Sequence, residues 1–145
     1  MPYNRMSPEQ TQAFLASSPP HTGKLATTRA DRSPHVAPVW FDLDDDGSIV
    51  FTTGARTVKG RNLQRDSRAA LCVDDERPPF SFVAVEGRVQ LYDDPAELRR
   101  WATRIGARYM GAGGAEAYGR RNAVPGELVA RLVPERWSSA RGVAD

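Results

Sequence analysis

The chain has 145 residues, of which 40% are hydrophobic, 26% charged and 8% aromatic, a size and balance that predict one domain with a sizeable core. A single cysteine, Cys72, excludes an intrachain disulfide framework or a multi-cysteine zinc site and fits a reducing compartment. The net charge of +2, from 20 bases against 18 acids, argues against a generic nucleic-acid or membrane-surface binder, and the bases are almost all arginine, a bias expected of a GC-rich genome. No stretch reaches the roughly 18 consecutive apolar residues of a membrane helix, and residues 1–20 lack the pattern of a signal peptide, so a cytoplasmic protein is expected.

Residues 7–16 open with serine, then proline, then glutamine three after the serine, a capping-box pattern that predicts a short helix with Phe14 and Leu15 as its apolar contacts. Ser17 to Pro20 break it. Strands are predicted at 24–30 and 35–43, and Pro38 inside the second requires an edge, a bulge or a backbone facing something other than a neighbouring strand. The acids of 42–46 and Gly47 form a turn expected to be a solvated hairpin tip, followed by a strand at 48–53 that would complete a three-stranded meander. Thr57 caps a predicted helix over 58–65, with Val58 and Leu63 facing inward. Strands at 69–75 and 80–92 follow, the second with a bulge or bend at Glu86 and Gly87.

Asp94, Pro95 and Glu97 start an amphipathic helix over 95–110 whose buried face carries Leu98, Trp101, Ala102, Ile105 and Tyr109. Residues 111–126 are glycine-rich and read as a long loop; a last strand at 127–133 runs on toward Trp137, and a frayed tail is expected over 138–145. The sum is a mainly β, six-stranded antiparallel barrel with helices at its ends, preceded by a helix and linker over 1–22.

Common catalytic signatures are absent: HExxH, GxSxG, Walker A and CxxC do not occur. His21 and His35 have no acid or cysteine at ligand spacing and read as surface or hydrogen-bonded histidines, so no metal site is expected. Cys72 reads as an inert thiol. One segment stands out. Between Thr52 and Arg68 two threonines end a strand and a helix begins among five bases (Arg56, Lys59, Arg61, Arg65, Arg68) against one acid, Asp66. A helix N-terminus with open N–H groups, threonine hydroxyls and a point-charge lysine suits a phosphate.

The run LATTRADRSPHVAPVWF, the Lys59-x-x-Asn62-Leu63-x-Arg65-Asp66 stretch and VEGRV at 85–89 resemble the pyridoxamine-phosphate-oxidase-like split-barrel family, in particular its branch of small flavin- and deazaflavin (coenzyme F-420)-dependent oxidoreductases common in actinobacteria. The resemblance implies an FMN-binding split-barrel fold and a homodimer with cofactor at the subunit interface. It also implies that the backbone of His35, Val36, Ala37, Pro38, Val39 and Trp40 lies along the cofactor ring. Thr52, Thr53 and Lys59 would hold the phosphate, Arg56 and Asn62 would extend the site, and Arg61 and Arg65 would meet an acidic polyglutamate tail. The oxidase subfamily proper carries an arginine and a lysine along the second strand, and residues 35–40 have neither. Pyridoxamine phosphate oxidation is therefore not expected, and the phosphate load falls on residues 52–65, favouring coenzyme F-420 over flavin mononucleotide (FMN).

Three functions follow. The first is a deazaflavin-dependent reductase passing hydride to a small unsaturated or conjugated substrate, with an FMN-dependent enzyme of the same fold as the alternative; no catalytic acid is assigned. The second is a non-catalytic carrier of either cofactor. The third, a single-strand nucleic-acid binder, needs aromatics interleaved with the bases, and residues 54–68 contain none.

Overall fold

The structure, a computed structural model, describes residues 4–145, so the first three residues of the expected N-terminal segment lie outside it. In chain order it comprises α1 (Pro8–Leu15), β1 (Gly23–Thr28), β2 (Pro34–Val39), β3 (Asp42–Leu43), β4 (Ile49–Gly54), α2 (Val58–Arg65), β5 (Arg68–Asp75), β6 (Ser81–Tyr92), α3 (Pro95–Met110), a 3-10 turn (Ala112–Gly114), α4 (Ala115–Asn122) and β7 (Glu127–Ala140). Every strand pair is antiparallel, in the order β2-β1-β5-β6-β7-β4-β3. No helix among the described residues is long and apolar enough to cross a membrane.

The helix starts follow from their caps. Ser7 Oγ accepts from Gln10 N–H at 3.1 Å while Gln10 Oε1 accepts from Ser7 N–H at 2.8 Å, completing the capping box of α1. Asp94 Oδ1 accepts from Ala96 N–H at 2.8 Å at the head of α3. Thr57 Oγ1 accepts from Gly60 N–H at 3.1 Å and donates to the Gly54 carbonyl at 2.8 Å, which ties the start of α2 to the end of β4.

The stretch expected as one strand over 35–43 is two strands at opposite edges of the sheet: β2 pairs with β1, and β3 pairs with β4. The chain turns at Trp40 and Phe41 to pass from one edge to the other, so the sheet curls until its ends meet. The six predicted strands thus become seven, and the expected meander is not formed, because β4 takes β7 as its neighbour with Ile49 opposite Leu132. Inside the curl Leu25, Phe41, Ile49, Phe51, Leu71, Val83 and Leu132 are buried. A smaller cluster of Val50, Leu98, Trp101 and Val129 fixes α3 to the outer side of β4 and β7. Burying such side chains stabilises by about 1.5–3 kcal/mol each before entropy is counted.

Residues 111–126 are not a loop throughout. They hold the 3-10 turn and α4, which packs on α3 through two glycines: a Cβ on Gly106 would lie 2.7 Å from Tyr118 Cδ1, and one on Gly119 would lie 2.1 Å from Thr103 Oγ1. Here glycine marks close helix contact rather than a break. The tail expected to fray is ordered as well, since Ala140 is buried opposite Phe82 and the N–H groups of Val143 and Ala144 bond Phe80 O and Pro79 O, each at 2.9 Å. The bulge expected at Glu86 and Gly87 is present, with Glu86 opposite Arg136 and Gly87 opposite Pro134, so that Glu135 is the extra residue. In α2, Leu63 is buried as expected, but Val58 is exposed.

Candidate functional site

The β4–α2 junction gathers much of the predicted set. Thr53 and Thr52 point to opposite faces of β4, as the strand period requires. Thr53 is buried, with its hydroxyl 3.2 Å from that of Thr57, whereas Thr52 pairs with Val129 on the side covered by α3. Arg56 and Arg61 are exposed and Lys59 is half-buried. None of the three enters an ion pair among the described residues, although eleven other bases do. The first residues of α2, Val58 and Lys59, have N–H groups with no intrahelical acceptor. Backbones approach very closely here: a Cβ on Gly60 would lie 2.0 Å from Gly54 O. Three bases outside any ion pair among the described residues, beside open N–H groups, fit an anionic group such as a phosphate.

Asn62 and Arg65 are engaged inside the protein. Buried Asn62 donates from Nδ2 to Thr27 Oγ1 at 3.0 Å, and Arg65 donates to Thr28 O and to Asn62 Oδ1. Together they fasten α2 to β1.

The other part of the predicted site is β2, which is an edge strand and so accommodates Pro38. Arg29 N–H donates to Ser33 O at 2.9 Å. Ladder alternation then turns the N–H groups of His35, Ala37 and Val39 toward β1 and leaves positions 34, 36 and 38 facing away. Two of those three are proline, so the free edge offers one donor, the N–H of Val36, among outward carbonyls. The Val36 side chain is 63% exposed, and Val39 is buried. His35 is half-buried opposite Thr27, and its Nδ1 is sealed from solvent with no hydrogen-bond partner among the described residues.

Trp40, where the chain leaves β2, stacks on Tyr109 at 5.0 Å and 1° and on Tyr118 at 5.4 Å and 30°. The Tyr109 hydroxyl donates to His21 O at 2.7 Å. Beside this stack Arg108 donates to Phe41 O at 2.7 Å and to Leu15 O, with its guanidinium 4.7 Å from the Phe41 ring centroid. Burial raises the Tyr109 and Tyr118 phenols above their ordinary range.

The acids of 42–46 are more than a solvated tip. Asp44 pairs with Arg131 at 2.6 Å, and that hydrogen bond holds its carboxyl below the usual range; Asp42 lies 3.4 Å from Arg104 and 3.8 Å from Arg108. They brace the β3–β4 turn against β7 and α3. Cys72 is half-buried, and burial pushes its thiol up, which disfavours the reactive thiolate.

Sequence reasoning missed Glu127, the first residue of β7, which lies opposite Gly54 and lines the same groove as Arg56 and Thr57. It also missed Arg108 and the stacking of Tyr118 on Trp40. Each depends on a contact between distant segments, and no local signal announces it.

Comparison with known proteins agrees with this architecture. The family profile described as pyridoxamine 5'-phosphate oxidase matches residues 7–140. The F420H(2)-dependent biliverdin reductase of Mycobacterium tuberculosis is 38% identical over 100 residues, covering 67% of this chain and 68% of that protein. The 5a,11a-dehydrotetracycline/5a,11a-dehydrooxytetracycline reductase of Streptomyces rimosus is 39% identical over 56 residues, 37% of this chain, and the chain covers 39% of that protein's length. The crystal structure of a conserved hypothetical protein of Mycobacterium tuberculosis superposes with a TM-score of 0.81 at 27% identity, over 94% of this chain and 86% of that one. In both sequence and fold, the chain belongs to the pyridoxamine 5'-phosphate oxidase-like split-barrel family, whose oxidoreductases use flavin or the deazaflavin F-420.

Proposed function

We propose that this protein is a coenzyme F-420-dependent reductase that works as a homodimer and passes hydride to a small unsaturated or conjugated substrate. The observation that carries the cofactor assignment is the set of three bases, Arg56, Lys59 and Arg61, that enter no ion pair among the described residues around the start of α2. The reductase assignment draws on the mycobacterial F420H(2)-dependent relative and on the absence of arginine and lysine from residues 35–40.

In this function the bound deazaflavin supplies the hydride. The protein's own groups bind and orient. Lys59 Nζ and the N–H groups of Val58 and Lys59 hold the phosphate, with Arg56 beside them, while Arg61 meets acidic groups farther along the cofactor. The free edge of β2 orients the ring through the Val36 N–H and the outward carbonyls. Trp40, braced by Tyr109 and Tyr118, keeps that edge rigid. A second copy has a suitable surface to cover: Pro34, Val36 and Pro38 are exposed on β2, beside the half-buried Ala26, Ala70, Cys72 and Ala84 of the neighbouring strands.

The test is a binding titration with coenzyme F-420 and with FMN, followed by absorbance or fluorescence, on the wild type and on Lys59→Ala. Tight F-420 binding that Lys59→Ala weakens supports the assignment; binding indifferent to Lys59 overturns the phosphate site. Oxidation of reduced F-420 against a panel of conjugated acceptors then separates an enzyme from a carrier, since no rate above background refutes the reductase. Sedimentation gives the oligomeric state, and a monomer in the presence of cofactor refutes the shared site.

A further inference from the structure

The junction that gathers three unpaired bases also contains a carboxylate. Glu127 opens β7 opposite Gly54, where no side chain faces it, and its Oε1 lies 3.4 Å from the place a Gly54 Cβ would occupy. The groove beside it runs between Gly54–Thr57 and Pro125–Glu127, and the bond from Ala55 N–H to Gly126 O at 2.8 Å holds the two walls together. Glu127 is half-buried, and its carboxylate enters no ion pair or side-chain hydrogen bond among the described residues. Burial raises its carboxyl above the ordinary range, and Lys59 of α2 opposes that shift. In α4 the Tyr118 phenol is acted on in opposite directions by Glu127 and Arg121. Arg56 borders the groove on the β4–α2 side.

A carboxylate inside an anion site penalises every anionic ligand, and the penalty grows with the ligand's charge. FMN ends in a phosphomonoester, which carries about −1.5 to −2 near pH 7 because its second proton leaves near pH 6. In coenzyme F-420 the corresponding phosphate is a diester with a single charge. We propose that Glu127 is a specificity-determining residue of the cofactor site, placed to disfavour a phosphomonoester dianion relative to a phosphodiester monoanion. This rests on the cofactor assignment above and adds the reason that the same basic junction discriminates between the two cofactor classes. An additional unit of charge about 8 Å from the carboxylate, at an effective dielectric of 20–40, corresponds to roughly 5- to 30-fold in affinity.

The experiment is equilibrium titration of wild type and Glu127→Gln with FMN and with coenzyme F-420. Glu127→Gln is expected to tighten both cofactors, FMN about tenfold more than F-420, because each unit of phosphate charge is relieved by a similar factor. The comparison is made at pH 8, where the phosphomonoester is a dianion, so that the ratio reads the second charge directly. Glu127→Asp, which keeps the charge, is expected to leave the FMN to F-420 ratio within about threefold of the wild type, and Glu127→Ser takes the place of Glu127→Gln if the amide impairs folding. F-420 binding that depends on Lys59, with an FMN to F-420 ratio unmoved by Glu127→Gln, overturns the role of Glu127 and leaves the cofactor site standing. No binding of either cofactor to either form overturns both.

Discussion

Replacing Arg108 with methionine tests what holds the chain where it crosses between the two sheet edges. The side chain is 13% exposed and donates to two main-chain carbonyls from different segments, Phe41 O in the crossing and Leu15 O at the end of α1. Methionine keeps most of the aliphatic packing and removes the donors. A hydrogen bond from a charged donor contributes about 1.5–3 kcal/mol, and a carbonyl left buried without a donor costs about 1–3 kcal/mol. Allowing for relaxation, and for the Arg104 partner that Asp42 retains at 3.4 Å, Arg108→Met is expected to destabilise by about 3 kcal/mol. A chain of 145 residues unfolds with an entropy of about 0.3 kcal/mol per degree, so the melting temperature should fall by about 10 °C. Differential scanning calorimetry measures this, and Trp40 fluorescence checks that the crossing loosens. Arg108→Lys, with one compact ammonium, should recover about half of the loss. A fall of less than 3 °C in Arg108→Met would refute the view that this guanidinium closes the barrel.

Lys59→Ala should weaken phosphate-bearing cofactor by about 10- to 100-fold, the worth of a charge-assisted hydrogen bond, without moving the melting temperature of the apo protein by more than about 2 °C. Gly60→Ala places a methyl 2.0 Å from a backbone oxygen, so α2 must shift; a loss of about 1–3 kcal/mol in denaturant unfolding is expected, together with weaker cofactor binding. Asp66 is held at about 2 by its hydrogen bonds from Arg68, below its ordinary value of 3.8. Its folded value is depressed, so the stability it contributes is present above about pH 4 and lost as pH falls toward 2. A carboxylate NMR titration of Asp66 with its midpoint above 3.5 would show that the Arg68 pair does not persist in solution.

Local chemistry made much of the fold legible. Helices over 58–65 and 95–110 could be placed because Thr57 and Asp94 announce their starts, and Glu86 with Gly87 announced a bulge. The division of 35–43 at Trp40 could not be read, because one apolar run serves two sheet edges and the decision lies with partners remote in sequence. Gly114 and Gly119 look like breakers locally, yet Gly119, with Gly106 of α3, is the contact surface of a helix pair. The basic half of the candidate site, from Thr53 to Arg65, was visible as composition. Glu127 was not, because its place opposite Gly54 is fixed by strand register across more than 70 residues.

The two edges of the sheet also govern how this protein can meet copies of itself. β3 is two residues long, and β2 has prolines at two of the three positions whose backbone faces outward. An incoming strand would find a lone N–H at Val36, too few donors to template a ladder, although the Val36 side chain itself is apolar and exposed. Runaway β-addition is blocked at both ends of the curl. The proposed homodimer would then use the broad face of the sheet, where a two-fold contact closes on itself and stops at a defined number of subunits.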